Sequence, residues 1–221
     1  MFNVFRDLGD FLHLFAIILL LVKFIRTKSC ANISGKTQIL HAIVFMMRYL
    51  DVFETSYGSY SCCYYYITSM KVAYVLLSLL TVYMIYGPYK KTYDRENDTV
   101  YNDFLIVPCI VLATFLSSIC SPIEFLWTFS VFLEAVAIVP QLDLLCKIDY
   151  VDNYTTAYLI PLGMYRVLYI LNWGYRYHYE GYYDQNSVYS GFLMAVVFAL
   201  VFVRLYILKR REHRSMITIV E

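Results

Sequence analysis

Arg6, Asp10 and His13 recur at three- and four-residue steps near the N-terminus, and Arg48 and Asp51 sit three apart within "MMRYLDVFE" (46–54). Glu124, Trp127, Glu134 and Gln141 fall on a further helical stripe, with Val131 and Ile138 filling the steps between. A fourth stripe holds Tyr165, Tyr169, Asn172 and Arg176, with Trp173 beside it. Residues three, four and seven apart share one helix face, so each set points its polar groups in one direction. Arginines in a half-dry cavity suit carboxylates, through planar bidentate hydrogen bonds. Acids in the same cavity suit a cationic group, and the two tryptophans offer apolar walls or cation–π faces. The implied chemistry is non-covalent capture of a small ligand with several carboxylates and at least one positive charge. A short acidic peptide end fits, and so do some amino-acid or organic-acid solutes. His13 adds a group able to titrate between about pH 5 and 8, which suits a low-pH protonation switch with Glu134 and Tyr165 as neighbours.

Covalent chemistry has no comparable support. There is no Gly-rich phosphate loop, nucleophile elbow or His pair at metal spacing, and His178 and Glu180 in "RYHYE" diverge as alternate residues of a helix. Cys30, Cys62, Cys63, Cys109, Cys120 and Cys146 show no metal-ligand spacing and read as small buried apolar residues. A binding protein without cofactor, metal or enzymatic activity is expected.

The elements that must position these stripes are membrane spans. The chain is 60% hydrophobic and 19% aromatic, too apolar for a soluble domain of 221 residues. Its net charge of +1 excludes a strongly basic nucleic-acid binder. Seven stretches are long and apolar enough to be candidate helical spans: 4–24, 37–54, 61–86, 102–119, 122–142, 154–175 and 186–208. The first lacks a small-residue cleavage site and carries Arg6, Asp7, Asp10 and His13, so it reads as a retained span. Residues 1–208 form one membrane domain and 209–221 a tail.

Lys23, Arg26, Lys28 and Lys36, then Lys90, Lys91 and Arg95, then Lys147, then Lys209, Arg210, Arg211 and Arg214 fall on alternate connections. That bias predicts a lumenal or extracellular N-terminus and a cytosolic tail. The sequons at Asn32, Asn97 and Asn153 then lie on the cytosolic side and are expected to carry no glycan.

Self-similarity organises the spans further. "FLHLFAI" (11–17) echoes "FLEAVAI" (132–138), and "MRYLDVF" (47–53) echoes "YRVLYIL" (165–171). His13 thereby aligns with Glu134, and Arg48 with Arg166. Two parallel triple-helix bundles, spans 1–3 and 5–7 joined by span 4, account for this, and such repeats place their site near the midplane between halves. Buried Arg and Glu can also pair simply to hold a bundle together. Desolvation, however, outweighs what such pairs return, so charges drawn from several spans point to a lumen-facing polar cavity.

Several stretches carry a family resemblance: "FRDLGDFLHLFAIILLLVK", "SCANISGKTQ", "RYLDVF", "MKVAY", "TYDRENDT", "PIEFLWTFSVFLEAVAIVPQL" and "YRVLYILNWGYRYHYEGYYD". Together they resemble the ER lumenal protein retention receptors, which read Lys-Asp-Glu-Leu or His-Asp-Glu-Leu carboxyl termini (the KDEL/HDEL receptors). The resemblance implies an all-α seven-span fold similar to the PQ-loop and SWEET transporters, the "PQ" here being Pro140–Gln141. It implies that Arg48 and Tyr49 take the free carboxyl terminus, and that Arg6 and Arg176, the latter supported by Asn172 and Trp173, hold the acidic side chains. Asp51 and Glu124, with Trp127 nearby, receive the lysine or histidine. His13, Glu134 and Tyr165 resemble the family's pH-sensing network, and Arg166 and Tyr169 fall in its span-six signature. The implied cargo is escaped ER lumenal protein, captured in the acidic Golgi and released at neutral pH in the ER. The implied cytosolic partner is coat machinery (COPI) reading the tail, including Lys209, Arg210 and Arg211. The rival reading is a PQ-loop-type carrier of a small amino-acid or organic-acid solute on the same scaffold.

Overall fold

The computed structural model describes residues 3–50, 62–117, 121–181 and 184–220, with side chains left aside at 62–64 and 215–220. Asp51 lies outside the described residues. Helix α1 (Val4–Thr27) starts where the Asn3 side chain accepts the Phe5 amide and stops at Lys28 in the left-handed region. Helix α2 (Gly35–Arg48) is capped by Ser34, whose side chain accepts from the Thr37 amide. Helix α3 spans Cys62–Tyr86, a short 3-10 turn follows at Lys90–Thr92, and α4 spans Asp103–Leu116. Ser121 caps α5 (Pro122–Val136) with proline at its first position. Helices α6 (Val139–Lys147), α7 (Asn153–Glu180, capped by Asp152) and α8 (Gln185–Val220) complete the order.

The expected single span over 122–142 is broken. Helix α5 ends at Val136 and α6 begins at Val139, with Pro140 in its first turn. Proline has no amide hydrogen to offer the carbonyl four residues earlier, and its ring crowds that carbonyl. Helix α8 runs without a break through the expected tail boundary at 208.

Within the first half α3 packs on both α1 and α2, and within the second α8 packs on both α7 and the α5–α6 pair. The halves meet crosswise, α1 against α7 and α2 against α5, while α4 lies on α5. The two three-helix bundles therefore share one internal order, as the repeat requires. Gly9 permits the closest approach of α1 to α7: a Cβ there would sit 2.9 Å from the Tyr169 ring.

The chain is apolar on its outer face as well as in its core. On α1, Leu8, Phe11, Phe15, Ile18, Val22 and Ile25 are exposed at helical spacing, while Gly9, His13, Ala16, Leu20, Lys23 and Phe24 are buried. Only lipid accommodates such an outer face, and buried polar groups must then find partners inside. Four described helices are long and apolar enough to cross a membrane: 4–27, 65–86, 122–147 (α5 with α6) and 185–214. Helix α7 is long but polar and α2 is short, and these two carry Arg166 and Arg48 to the interface between the halves.

Candidate functional site

At the middle of the bundle one carboxylate serves two guanidinium groups. Arg48 Nη1 lies 2.5 Å from Glu134 Oε2, and Arg166 Nη2 pairs with Oε1. The Tyr165 hydroxyl donates to the same Oε1 at 3.1 Å. Arg48 Nε also donates to Ser130 Oγ at 3.2 Å, and the Arg166 guanidinium lies 4.7 Å from the Tyr165 ring centroid. His13 stacks on Tyr165, with centroids 4.0 Å apart and planes 12° from parallel, and touches Phe45 and Tyr74 on other sides. The four residues that the repeat aligns, His13 with Glu134 and Arg48 with Arg166, thus meet at one point from four different helices.

The charges there do not balance. A half-buried arginine and a buried one face one buried glutamate, and among the described residues Arg48 Nη2 and Arg166 Nε have no hydrogen-bond partner. A buried charged donor left unmet costs about 1–3 kcal/mol or more, so this centre holds a standing attraction for a further anion. Beside it a cavity of about 280 Å³ is walled by Arg48, Met47, Ser121, Glu124, Trp127 and neighbouring apolar side chains. One guanidinium, one carboxylate and one indole therefore line a single opening. The start of α5 sits there too, where Pro122 and the Ser121 cap turn Glu124 into the first helical turn.

The remaining expected site residues among those described lie outside the lining of this opening. Arg6, half-exposed, lies 4.0 Å from Asp7, whose Oδ1 accepts no hydrogen bond among the described residues. Tyr169 donates to the Asp10 carboxylate, and Tyr74 donates to the Asp10 carbonyl at 2.5 Å. Asn172 accepts from Asn3 at 2.9 Å, tying α7 to the start of α1. Arg176 pairs with Glu180 one turn along its own helix at 2.9 Å. Tyr49 stacks with Phe45 and Tyr74. Trp173 lies over Gly191 in a groove between α7 and α8, apart from the Arg48 cavity.

Sequence reasoning missed Ser130 and Tyr74. Ser130 stands one turn before Glu134 on its stripe, a signal that was present. Tyr74 closes the stretch "MKVAY" but falls on no polar stripe, so nothing marked it as a neighbour of His13.

A family model for the ER lumen protein retaining receptor matches residues 29–176. The chain is 50% identical to ER lumen protein-retaining receptor 3 of Mus musculus and 48% to that of Xenopus tropicalis, each over 94% of both chains. It is 47% identical to ER lumen protein-retaining receptor 2 of Homo sapiens over the same shares. The chain belongs to the ER lumen protein-retaining receptor family.

In this family member the opposite end of the bundle is sealed. Lys23 is buried, and its ammonium donates to the Ala31 carbonyl and Thr155 Oγ1 at 2.5 Å each and to Asp152 at 3.1 Å. Burial pushes the Asp152 carboxyl up, but the Lys23 charge and the bonds from Thr155, Lys23 and Asn32 outweigh it and hold the group below its usual range. Gln141, grouped by its stripe with Glu124 and Glu134, belongs to this end. The helix break lets it clasp α2: its amide donates to Thr37, its side chain accepts from the Ser34 amide, and its Nε2 donates to the Asn32 carbonyl. Arg204 donates to the carbonyls of Leu145, Cys146 and Ile148, closing the C-terminus of α6. In the expected sorting tail Lys209 is tied to Val151, Asn153 and Glu212, whereas Arg210 and Arg211 are exposed.

Proposed function

We propose that this chain is a pH-dependent receptor that binds the C-terminal Lys-Asp-Glu-Leu or His-Asp-Glu-Leu signal of escaped ER lumenal proteins in the Golgi and returns them to the ER. The observation that carries the reading is Arg48, whose buried Nη2 has no hydrogen-bond partner among the described residues while its side chain lines a cavity shared with Glu124 and Trp127. A chain-terminal carboxylate supplies the missing acceptor and the missing negative charge together. Glu124, with Asp51, takes the amine or imidazole at the far end of the signal. Arg6 and Arg176 take its acidic side chains at the mouth, the latter after exchanging Glu180 for cargo. Family membership supports this reading over the solute-carrier alternative, because the relatives are named as receptors.

His13 supplies the pH response. It adjoins Tyr165, which bonds the Glu134 shared by both arginines. A protonated His13 adds positive charge to a centre that already lacks an anion, so capture strengthens as pH falls through the histidine range, about 6.5 when unperturbed. The charge bias of the connections supports a lumenal N-terminus and a cytosolic tail. Exposed Arg210 and Arg211, with Lys209, would then face the COPI coat.

The experiment is peptide binding to the purified chain at about pH 5.4 and about pH 7.4. The free-acid Lys-Asp-Glu-Leu peptide is expected to bind about tenfold or more tightly at the acidic pH, and His13→Ala to remove that difference. The carboxyl-amide peptide, with no charge for Arg48, is expected to lose more than about 100-fold at either pH. Equal binding of acid and amide would overturn the reading.

A further inference from the structure

A second cavity, of about 560 Å³, opens at the sealed end between the start of α2, the end of α3 and the connection into α4. Lys36, Lys90 and Arg95 line it against a single acid, Asp98. That acid is committed elsewhere: the Ser34 hydroxyl reaches both its oxygens at 2.9 Å, the Tyr93 hydroxyl donates at 2.6 Å and the Lys36 amide at 3.2 Å. The three cations form no ion pair among the described residues; Lys36 only overlies the Tyr101 ring, at 5.5 Å. Neighbouring Lys147 is neutralised by Asp143 at 2.5 Å and adds no free charge. Three cations against one occupied carboxylate leave the cavity positive, and Tyr93 and Tyr101 supply flat walls with hydroxyls. Tyr101 and Phe104, 69% and 77% exposed, stand at its outer edge where α4 begins. Aromatic residues so placed mark the headgroup level of a bilayer.

We propose that this cavity binds the phosphorylated headgroup of an anionic membrane lipid of the phosphoinositide class. A phosphomonoester carries about −1.5 to −2 charges and several acceptor oxygens, which matches two lysines and an arginine converging on one space. A singly charged phospholipid headgroup leaves part of that charge unmet. The acyl chains would run down the exposed Tyr101–Phe104 edge into the bilayer. Basic pockets between helices on the cytoplasmic side of membrane proteins are the physical setting for such headgroups. The assignment rests on the orientation proposed above and not on peptide capture. The test therefore uses detergent-solubilised protein, in which both faces are reachable.

Short-chain phosphatidylinositol 4-phosphate is titrated into the purified full chain, beside short-chain phosphatidylserine, the water-soluble inositol phosphate headgroup and inorganic phosphate. Saturable binding of the phosphoinositide, more than about tenfold tighter than of phosphatidylserine, is expected. The triple variant Lys36→Gln, Lys90→Gln, Arg95→Gln is expected to lose more than about tenfold. The charge-matched control Arg26→Gln, Lys28→Gln, Lys91→Gln, all exposed positions outside the cavity, should stay within about twofold. Size-exclusion profiles verify folding, and the single variants at exposed Lys90 and Arg95 give graded losses if the triple variant fails to fold. Equal loss in both triple sets reduces the effect to general surface charge and overturns the site. Equal binding by the free headgroup or by inorganic phosphate overturns the lipid assignment, and no saturable binding overturns both.

Discussion

The two ends of this bundle treat buried charge in opposite ways. At the sealed end Lys23 has three acceptors, Asp98 has three donors, and Gln141 bonds the Asn32 carbonyl, the Ser34 amide and the Thr37 hydroxyl. At the open end two arginines divide one glutamate, and a guanidinium nitrogen on each has no hydrogen-bond partner among the described residues. Complete shells around buried charges hold a fold together, and those charges are spent on it. An incomplete shell at the edge of a cavity costs stability until a ligand completes it, which is the physical condition for a receptor.

The largest test of this contrast is Glu134→Ala. It leaves Arg48 and Arg166 without their shared counterion, and the expected loss is about 3–5 kcal/mol, read as a fall in melting temperature. Combining Glu134→Gln with Arg166→Gln removes one charge of each sign and is expected to recover only part of that stability, because Arg48 stays without its counterion. If Glu134→Ala melts like the parent chain, the centre is not bound by charge and the contrast fails.

Much of this arrangement was legible in the sequence. Short echoes around His13 and Glu134, and around Arg48 and Arg166, placed four residues on matching helices, and the structure brings these four to one point. Polar stripes were readable because lipid leaves a charged helix face nowhere to turn but inward. The division of labour between the ends was not readable. Gln141 shares a stripe with Glu134, yet Pro140 interrupts the helix between them and turns Gln141 onto α2. The role of Arg204 is not legible in the sequence because its acceptors are backbone carbonyls, to which every residue type contributes alike. Lys23 reads as an ordinary flanking lysine until chain folding brings Asp152 and Thr155 to it.

Asp152→Ala probes the sealed end. It removes the α7 cap and, among the described residues, the one ion-pair partner of Lys23, while the Ala31 carbonyl and Thr155 hydroxyl remain. The expected cost is about 2–3 kcal/mol of stability, with peptide affinity of the folded protein unchanged. The sign of the pH effect follows from the carboxyl being held below its usual range. Its contribution is fully present above the unfolded-state value of about 4 and is lost as pH falls through the lower folded-state value. The stability gap between the parent chain and Asp152→Ala should therefore stay constant from about pH 7.4 to about pH 5.4 and narrow only in stronger acid. A gap that changes between those two values would mean that the sealed end shares the titration proposed for His13.

The finest distinction concerns Ser130, which holds Arg48 Nε at 3.2 Å while itself donating to the Trp127 carbonyl at 2.7 Å. A guanidinium held at both Nε and Nη1 has its orientation fixed beside the cavity, so the serine acts on the ligand only through Arg48. Ser130→Ala is expected to weaken free-acid peptide binding about fivefold to tenfold, equivalent to about 1–1.4 kcal/mol, and to shift stability by less than about 0.5 kcal/mol. Discrimination against the carboxyl amide should survive, because Arg48 keeps its charge. A stability loss without an affinity loss would place Ser130 with the completed shells of the sealed end, and would leave Glu134 as the sole group orienting Arg48.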